Sequence, residues 1–268
     1  MTDRYAVIGN PINHSKSPLI HQMFAAQTGE DISYAAIAAP LDGFAATVQR
    51  LRDEGYRGCN VTVPFKFEAF ALASEKQPRA TTAGAANTLI FTPAKVTADN
   101  TDGAGLVHDI EQNLNLSLRG KRVLLMGAGG AAYGVTLPLL TTGCGLSVVN
   151  RTVAKAQQLA ENFVPYGHLQ AYAYENLTGL QFDVIINATS SGLSDELAPL
   201  PASVFAQHAL AYDMMYGRQT PFMSFAKQHG AQIADGLGML VEQAAEAFFI
   251  WRGVRPDTAA VIAAMRAL

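Results

Sequence analysis

Val123-Leu124-Leu125-Met126-Gly127-Ala128-Gly129-Gly130-Ala131-Ala132 is the stretch on which the reading of the fold turns. Four consecutive apolar residues fit a strand buried on both faces, and the glycines after them fit a tight turn into a helix. Such a junction is a seat for a pyrophosphate. Bare backbone lets N–H groups come close, and the helix N-terminus carries partial positive charge. The next apolar run, Leu146-Ser147-Val148-Val149, lacks the terminal Asp or Glu that would hold a free ribose 2′-hydroxyl. It leads instead into Asn150-Arg151-Thr152, with Lys155 one turn further on. Cationic groups at that point suit a 2′-phosphate, so the expected cofactor is NADP rather than NAD, and hydride transfer the expected chemistry. Alone, the glycines could mark an ordinary strand–helix junction and Arg151 a surface residue. Their coupling in one βαβ unit favours the dinucleotide.

Outward from that stretch, strands and helices alternate in both directions. Upstream, strands are expected at Tyr5–Gly9, Tyr34–Ala38 and Cys59–Val63, the last stopped by Pro64. Helices are expected over Pro18–Gln27 with Ser17 as cap, over Phe44–Asp53 ending at Gly55, and over Phe67–Leu72. Thr88–Phe91 and Lys95–Ala98 read as a hairpin around Pro93. Gly105–Gln112 reads as a helix leading to the glycine-turn strand. Downstream come a helix at Lys155–Phe163, strands near Gln170–Ala173, Asp183–Asn187, Leu210–Met214 and Gln232–Ala234, and a helix at Pro221–Gln228. Two further helices close the chain, Met239–Trp251 and one capped by Asp257, with Phe248, Phe249 and Trp251 expected in the core. The fold class is α/β with two domains. Residues 1–103 form an α/β substrate domain, 104–237 a Rossmann-type dinucleotide-binding domain, and 238–268 return as helices to the substrate domain. Ligands are expected in the cleft between the two.

Composition excludes several classes. At 268 residues, 49% hydrophobic and 15% charged, the chain can bury a sizeable core and is no disordered segment. A formal charge of -3 without a basic block argues against nucleic acid as partner. No apolar run is long enough to span a bilayer, no signal-peptide core follows Met1, and Cys59 and Cys144 have neither metal-ligand nor disulfide spacing. A cytoplasmic monomer or homodimer acting on a small molecule is the expectation.

In the first hundred residues, polar side chains crowd the segments that follow strands. Asn10-Pro11-Ile12-Asn13-His14-Ser15-Lys16-Ser17 follows the first strand and Asn60-Val61-Thr62-Val63-Pro64-Phe65-Lys66 the third, while Gly84-Ala85-Ala86-Asn87-Thr88 lies before the hairpin and Asp99-Asn100-Thr101-Asp102-Gly103 after it. Hydroxyls, amides, one lysine and one aspartate converging on one spot suit a small, heavily hydroxylated molecule. Ser15 and Ser17 at a helix start suit a carboxylate on it. Reducing a carbonyl needs a proton donor, and the reverse needs an acceptor. Burial disfavours an ammonium while a facing carboxylate favours it, so Lys66 and Asp102 make a pair able to move that proton. Singly, Lys66 could be solvated at a helix start, Asp102 a helix N-cap, and Ser15 and Ser17 mere caps.

Taken together, these segments resemble the shikimate/quinate dehydrogenase family over nearly the whole chain. Gly9-Asn10-Pro11, Asn150-Arg151-Thr152, Asn187-Ala188-Thr189, Tyr212-Asp213-Met214 and Asp235-Gly236-Leu237-Gly238-Met239-Leu240-Val241 add to the match. The resemblance implies reversible NADPH-dependent reduction of 3-dehydroshikimate to shikimate, toward chorismate and the aromatic amino acids. It implies Lys66 and Asp102 as the catalytic pair, and Ser15, Ser17, Asn60, Thr62, Asn87, Tyr216 and Gln243 as substrate-holding residues. The cofactor residues it implies are Gly127, Ala128, Gly129, Gly130 and Ala131 at the pyrophosphate and Asn150, Arg151, Thr152 and Lys155 at the 2′-phosphate. Met214 and Gly236 fall on the nicotinamide side. No metal is implied. Pro78 departs from the pattern, standing where many relatives carry an acidic residue. A quinate or dual-substrate dehydrogenase and a non-catalytic NADP-sensing protein are the alternatives.

Overall fold

The structure, a computed structural model, describes residues 2–189 and 197–268. The chain divides into two compact units, Met1–Leu106 with Leu240–Leu268, and Val107–Met239.

In the first unit the elements follow as β1 (Asp3–Gly9), α1 (Ser17–Thr28), β2 (Ile32–Ala38), α2 (Phe44–Asp53), β3 (Tyr56–Val61), α3 (Lys66–Leu72), β4 (Glu75–Lys76), α4 (Pro78–Ala83), β5 (Thr88–Phe91), β6 (Val96–Asp99) and α5 (Asp102–His108). The strands form one sheet in the order β2-β1-β3-β5-β6-β4. β1 pairs in parallel with β2 and β3, whereas β5 runs antiparallel to both β3 and β6. Burial follows position in the sheet. β1 is buried from Tyr5 to Gly9, while β2, on the edge, alternates between half-buried and exposed residues. α2 buries Phe44, Thr47, Val48 and Leu51, the stripe expected of a helix lying on a sheet. Phe44 stacks on Phe65 with ring centres 5.0 Å apart, in a core shared with Ile8, Cys59, Val61 and Leu89.

Several local expectations are corrected. Ser17 is the first residue of α1, not its cap; the Ser17 N–H donates to Ser15 Oγ at 3.3 Å, so the capping bond belongs to Ser15. β3 stops at Val61 because Thr62–Phe65 turns away, closed by Phe65 N–H on the Thr62 carbonyl at 3.0 Å. The helix expected at Gly105–Gln112 starts earlier, at Asp102, and continues as a π-helical turn over Asp109–Asn113. β4 and α4 carry too few residues to show a periodicity, and the sequence reading has no element there.

The second unit holds β7 (Arg122–Met126), α6 (Gly130–Thr141), β8 (Gly145–Val149), α7 (Val153–Phe163), β9 (Leu169–Tyr172), β10 (Phe182–Asn187), β11 (Phe205–Asp213), α8 (Pro221–Gln228) and β12 (Gln232–Asp235). All pairings are parallel and the order is β12-β11-β10-β7-β8-β9. This is the doubly wound arrangement, in which the winding direction reverses between β7 and β10; the C-terminal strand ends at that reversal are where ligands settle. β7 is buried from Val123 to Met126, as a central parallel strand must be.

α9 (Leu237–Arg252) and α10 (Thr258–Arg266) end the chain. Asp257 caps α10, its Oδ1 accepting the Ala259 N–H at 3.0 Å. Trp251 stacks on Tyr5 at 4.6 Å and donates from Nε1 to the Leu89 carbonyl at 3.2 Å, while Arg252 pairs with Asp3 and Glu30. These contacts hold residues 240–268 in the first unit. Phe248 is fully buried, but Phe249 is 40% exposed, its ring face covered by the Arg255 guanidinium at 4.7 Å. Adjacent residues on a helix project about 100° apart, so only Phe248 of this pair reaches the core.

Candidate active site

Four separate segments of the first unit, carrying Lys66, Asn87, Asn100–Asp102 and Gln243, meet around the Lys66–Asp102 pair. Lys66 opens α3 after the Thr62–Phe65 turn, and Asp102 opens α5 just past β6. Lys66 Nζ contacts Asp102 Oδ2, and the two side chains are 12% and 5% exposed. Asp102 is not a cap: its Oδ1 accepts from Asn87 Nδ2 at 2.8 Å, and its own N–H donates to Asn100 Oδ1 at 3.1 Å. Asn87 is 2% exposed and organises the rest. Its Nδ2 also reaches Thr101 Oγ1 at 2.9 Å and Gln243 Oε1 at 3.2 Å, while its Oδ1 accepts the Thr101 N–H at 2.8 Å. Buried polar groups are stable only when partnered, and this network partners them.

Asn60, at 5% exposure, is committed to the same scaffold. Its Nδ2 donates to the Asn87 carbonyl and to Thr88 Oγ1, each at 3.1 Å, and its Oδ1 accepts from Tyr34 OH at 2.7 Å. Only one acceptor position of Oδ1 remains for a ligand. Behind it, the buried His21 ring lies flat on Tyr34, centres 4.0 Å apart. Burial, only weakly offset by the nearby Asn60, lowers the His21 pKa to about 3, and neither ring nitrogen has a partner at hydrogen-bonding geometry. Ser17, buried, opens α1, Ser15 two residues before it is half-buried, and Thr62 sits half-buried in the turn before Lys66. Tyr216 belongs to the other unit, three residues beyond β11, and is half-buried. Thr101 and Asn100 complete the network without having been singled out from sequence. Their signal was membership of the Asp99–Gly103 segment.

In the second unit, Gly127 leaves β7 at φ 110°, a conformation that favours glycine, with its Cα facing the Ala188 carbonyl across the β7–β10 reversal. Gly129 caps α6, among the described residues no side chain bonds the first-turn N–H groups, and no acidic residue lies in that turn. A Cβ on Gly129 would meet nothing within 4 Å. Unfilled space, unclaimed N–H groups and a helix start are what a pyrophosphate needs, so Gly127, Ala128, Gly129, Gly130 and Ala131 fit that group. After β8, Asn150 Nδ2 donates to the Thr152 carbonyl at 2.9 Å and shapes the turn, which leaves Arg151, Thr152 and Lys155 exposed. Met214 and Gly236 come together: a Cβ on Gly236 would collide with the Met214 carbonyl, and the Gly236 N–H donates to the Met215 carbonyl at 3.0 Å. Asp213 is fully buried, and burial raises its pKa from the ordinary value, against hydrogen bonds from Thr220 Oγ1 at 2.6 Å, Met215 N–H at 2.9 Å and Asn187 Nδ2 at 3.1 Å.

A doubly wound sheet with a glycine turn at its reversal, joined in one chain to a unit holding a buried lysine–carboxylate pair, defines the class of dinucleotide-binding α/β oxidoreductases. Residues 7–89 match the shikimate dehydrogenase substrate binding domain, 108–194 the shikimate / quinate 5-dehydrogenase family, and 236–266 the shikimate 5′-dehydrogenase C-terminal domain. The chain is 62% identical to the shikimate dehydrogenase (NADP(+)) of Methylobacillus flagellatus, over 99% of each chain. The crystal structure of an Ael1 enzyme from Pseudomonas putida superposes with a TM-score of 0.90 at 51% identity, covering 97% of both chains. Shikimate 5-dehydrogenase of Thermus thermophilus, in complex with NADP(H) and shikimate, gives 0.88 at 34% identity over the whole of both chains. This chain belongs to the shikimate dehydrogenase family.

Proposed function

We propose that this protein catalyses the reversible NADPH-dependent reduction of 3-dehydroshikimate to shikimate. The observation that carries the reading is the buried Lys66–Asp102 contact, set among amides and hydroxyls rather than exposed as a surface ion pair. An ammonium has three hydrogens, and Asp102 engages one of them. Lys66 therefore keeps donors for the ring oxygen while Asp102 and Asn87 hold its direction. In reduction the pair delivers a proton to that oxygen, and in oxidation it accepts one. When bound, NADPH supplies the hydride.

Ser15 and Ser17 suit the substrate carboxylate, and Thr62, Asn87, Gln243 and Tyr216 its hydroxyls, with Asn60 contributing its one remaining acceptor. The glycine turn would hold the pyrophosphate of NADP, Asn150, Arg151, Thr152 and Lys155 its 2′-phosphate, and Met214 and Gly236 would flank the nicotinamide. Pro78, exposed at the start of α4, carries no charge toward any of these groups. Two free cysteines fit a cytoplasmic setting. Among the described residues no helix is long and apolar enough to cross a membrane.

Absorbance at the nicotinamide band tests the reading, with shikimate and quinate each offered with NADP and with NAD. Shikimate with NADP should give the highest kcat/KM of the four combinations. No reduction of NADP in the presence of shikimate sinks the proposal, and faster turnover of quinate replaces the substrate.

A further inference from the structure

Arg79, the second residue of α4, hydrogen-bonds to Asp99 and Glu246, neither of which is assigned to substrate or cofactor. Its guanidinium makes three directed bonds. Nε and Nη2 fork onto the two carboxylate oxygens of Asp99 at 3.0 and 2.7 Å, and Nη1 donates to Glu246 Oε1 at 2.7 Å. Each partner leads into the cluster. Asp99, 4% exposed at the end of β6, also accepts the Asn100 N–H at 2.7 Å. Asn100 in turn accepts the Asp102 N–H through Oδ1 and anchors itself by donating from Nδ2 to the Ala85 carbonyl at 3.0 Å. Three successive hydrogen bonds thus run from the guanidinium to the main chain of Asp102.

The other arm runs through α9. Glu246 sits three residues after Gln243, so the two share a helix face. Gln243 is the residue whose Oε1 meets Asn87 Nδ2. Glu246 Oε2 is held from the far side by Arg255 at 2.6 Å. Burial works to raise the Glu246 pKa, but the bonds from Arg79 and Arg255 bring it below the ordinary value.

We propose that Arg79 is a positioning residue for the reaction. Through Asp99 it fixes the main chain that aims Asp102 at Lys66, and through Glu246 it fixes the helix that aims Gln243 at Asn87. The inference rests on the function proposed above. Only a planar guanidinium supplies three donors in the required directions, so lysine cannot reproduce the clamp. Loss of the first arm misaims the proton pair and acts on kcat. Loss of the second loosens a substrate contact and acts on KM.

Steady-state shikimate oxidation by Arg79→Met, Arg79→Lys and Glu246→Gln, with cofactor affinity from the nicotinamide fluorescence of NADPH, separates these effects. Misplacing a catalytic group by a fraction of an ångström costs on the order of ten- to a hundred-fold, and that loss in kcat is expected for both Arg79 variants. Glu246→Gln leaves the Asp99 fork intact and should raise KM for shikimate several-fold, with kcat little changed. NADP affinity should stay at the wild-type value in all three. Wild-type kcat and KM in folded Arg79→Lys overturn the proposal, as does a loss confined to NADP affinity. If Arg79→Met fails to fold, Arg79→Lys decides, since it keeps a cation against the buried Asp99. A wild-type protein inert toward shikimate overturns the underlying function, whereas an active wild type with unaltered variants overturns only the role of Arg79.

Discussion

After β7, the second unit presents main chain: Gly127 in a turn that favours glycine, open space beside Gly129, and first-turn N–H groups of α6 that no side chain among the described residues engages. At Lys66 the first unit presents the reverse. Asn87, Thr101, Asn100, Asp102 and Gln243 are interlocked by side-chain hydrogen bonds. A pyrophosphate is charged, common to many ligands and poor in stereochemistry, so a bare helix start suffices for it. A ring bearing a carboxylate and several hydroxyls differs from its neighbours only in where its oxygens point. Discriminating it requires side chains held in fixed directions, since unpaired polar groups in such a site penalise the wrong ligand. One region binds by leaving groups free, the other by tying them down.

Replacing Lys66 is the most severe way to break this contrast. Asp102 keeps its bond from Asn87 at 2.8 Å, so Lys66→Ala does not strand a bare buried carboxylate and should fold. Removing the proton donor should lower kcat by about 10²–10⁴, the usual contribution of general acid–base catalysis. NADP affinity, which depends on the other unit, should not change. Near-normal turnover of this variant, measured at saturating shikimate, removes Lys66 from the mechanism.

The same contrast explains what could be read from sequence. The proposed pyrophosphate seat is contiguous, and strand, glycines and helix start lie within ten residues, so local pattern suffices. Lys66 and Asp102 could be named because each lies in a short polar segment after a strand, and Asn87 because its segment leads directly into β5. Arg79 could not: its partners Asp99 and Glu246 lie 20 and 167 residues away, and an arginine after a proline gives no local hint of them. The Ser17 cap failed for a related reason. Two serines spaced by one residue satisfy the same rule, and only backbone geometry shows that Ser15 accepts the bond. Phe249 failed because an aromatic pair on a helix cannot bury both members when one face is free.

Acid should separate the two regions next. His21 is neutral and buried behind Asn60, with a pKa near 3 in the folded chain against an ordinary 6.5. Below pH 6.5 the unfolded chain binds a proton that the folded chain refuses, so stability present at neutral pH is lost as pH falls toward 3. From pH 7 to pH 5 that loss is about 2 kcal/mol. Asp213 in the other unit has the opposite sign. Its raised folded pKa weakens the fold as pH rises through it, and acid restores that contribution. His21→Phe, which keeps an aromatic ring against Tyr34, should flatten the acid limb in denaturant melts at the two pH values. An unchanged slope means that His21 takes up its proton in the fold.

The smallest effect concerns the cofactor's identity. Arg151 and Lys155 are exposed beyond β8, while Asn150 holds the turn that presents them. Because both cations are solvated, each contributes only modestly and screening weakens it further. Arg151→Ala should therefore reduce NADP affinity by about tenfold at low salt, and less as salt is raised. Affinity for NAD, which has no 2′-phosphate, should not move. The ratio of the two, taken from fluorescence titrations of the same preparation, is the informative quantity, because general damage to the Rossmann sheet lowers both together. Equal losses for NADP and NAD would mean that Arg151 shapes the turn rather than reading the phosphate, and the discrimination would then fall to Lys155 and the main chain of Thr152.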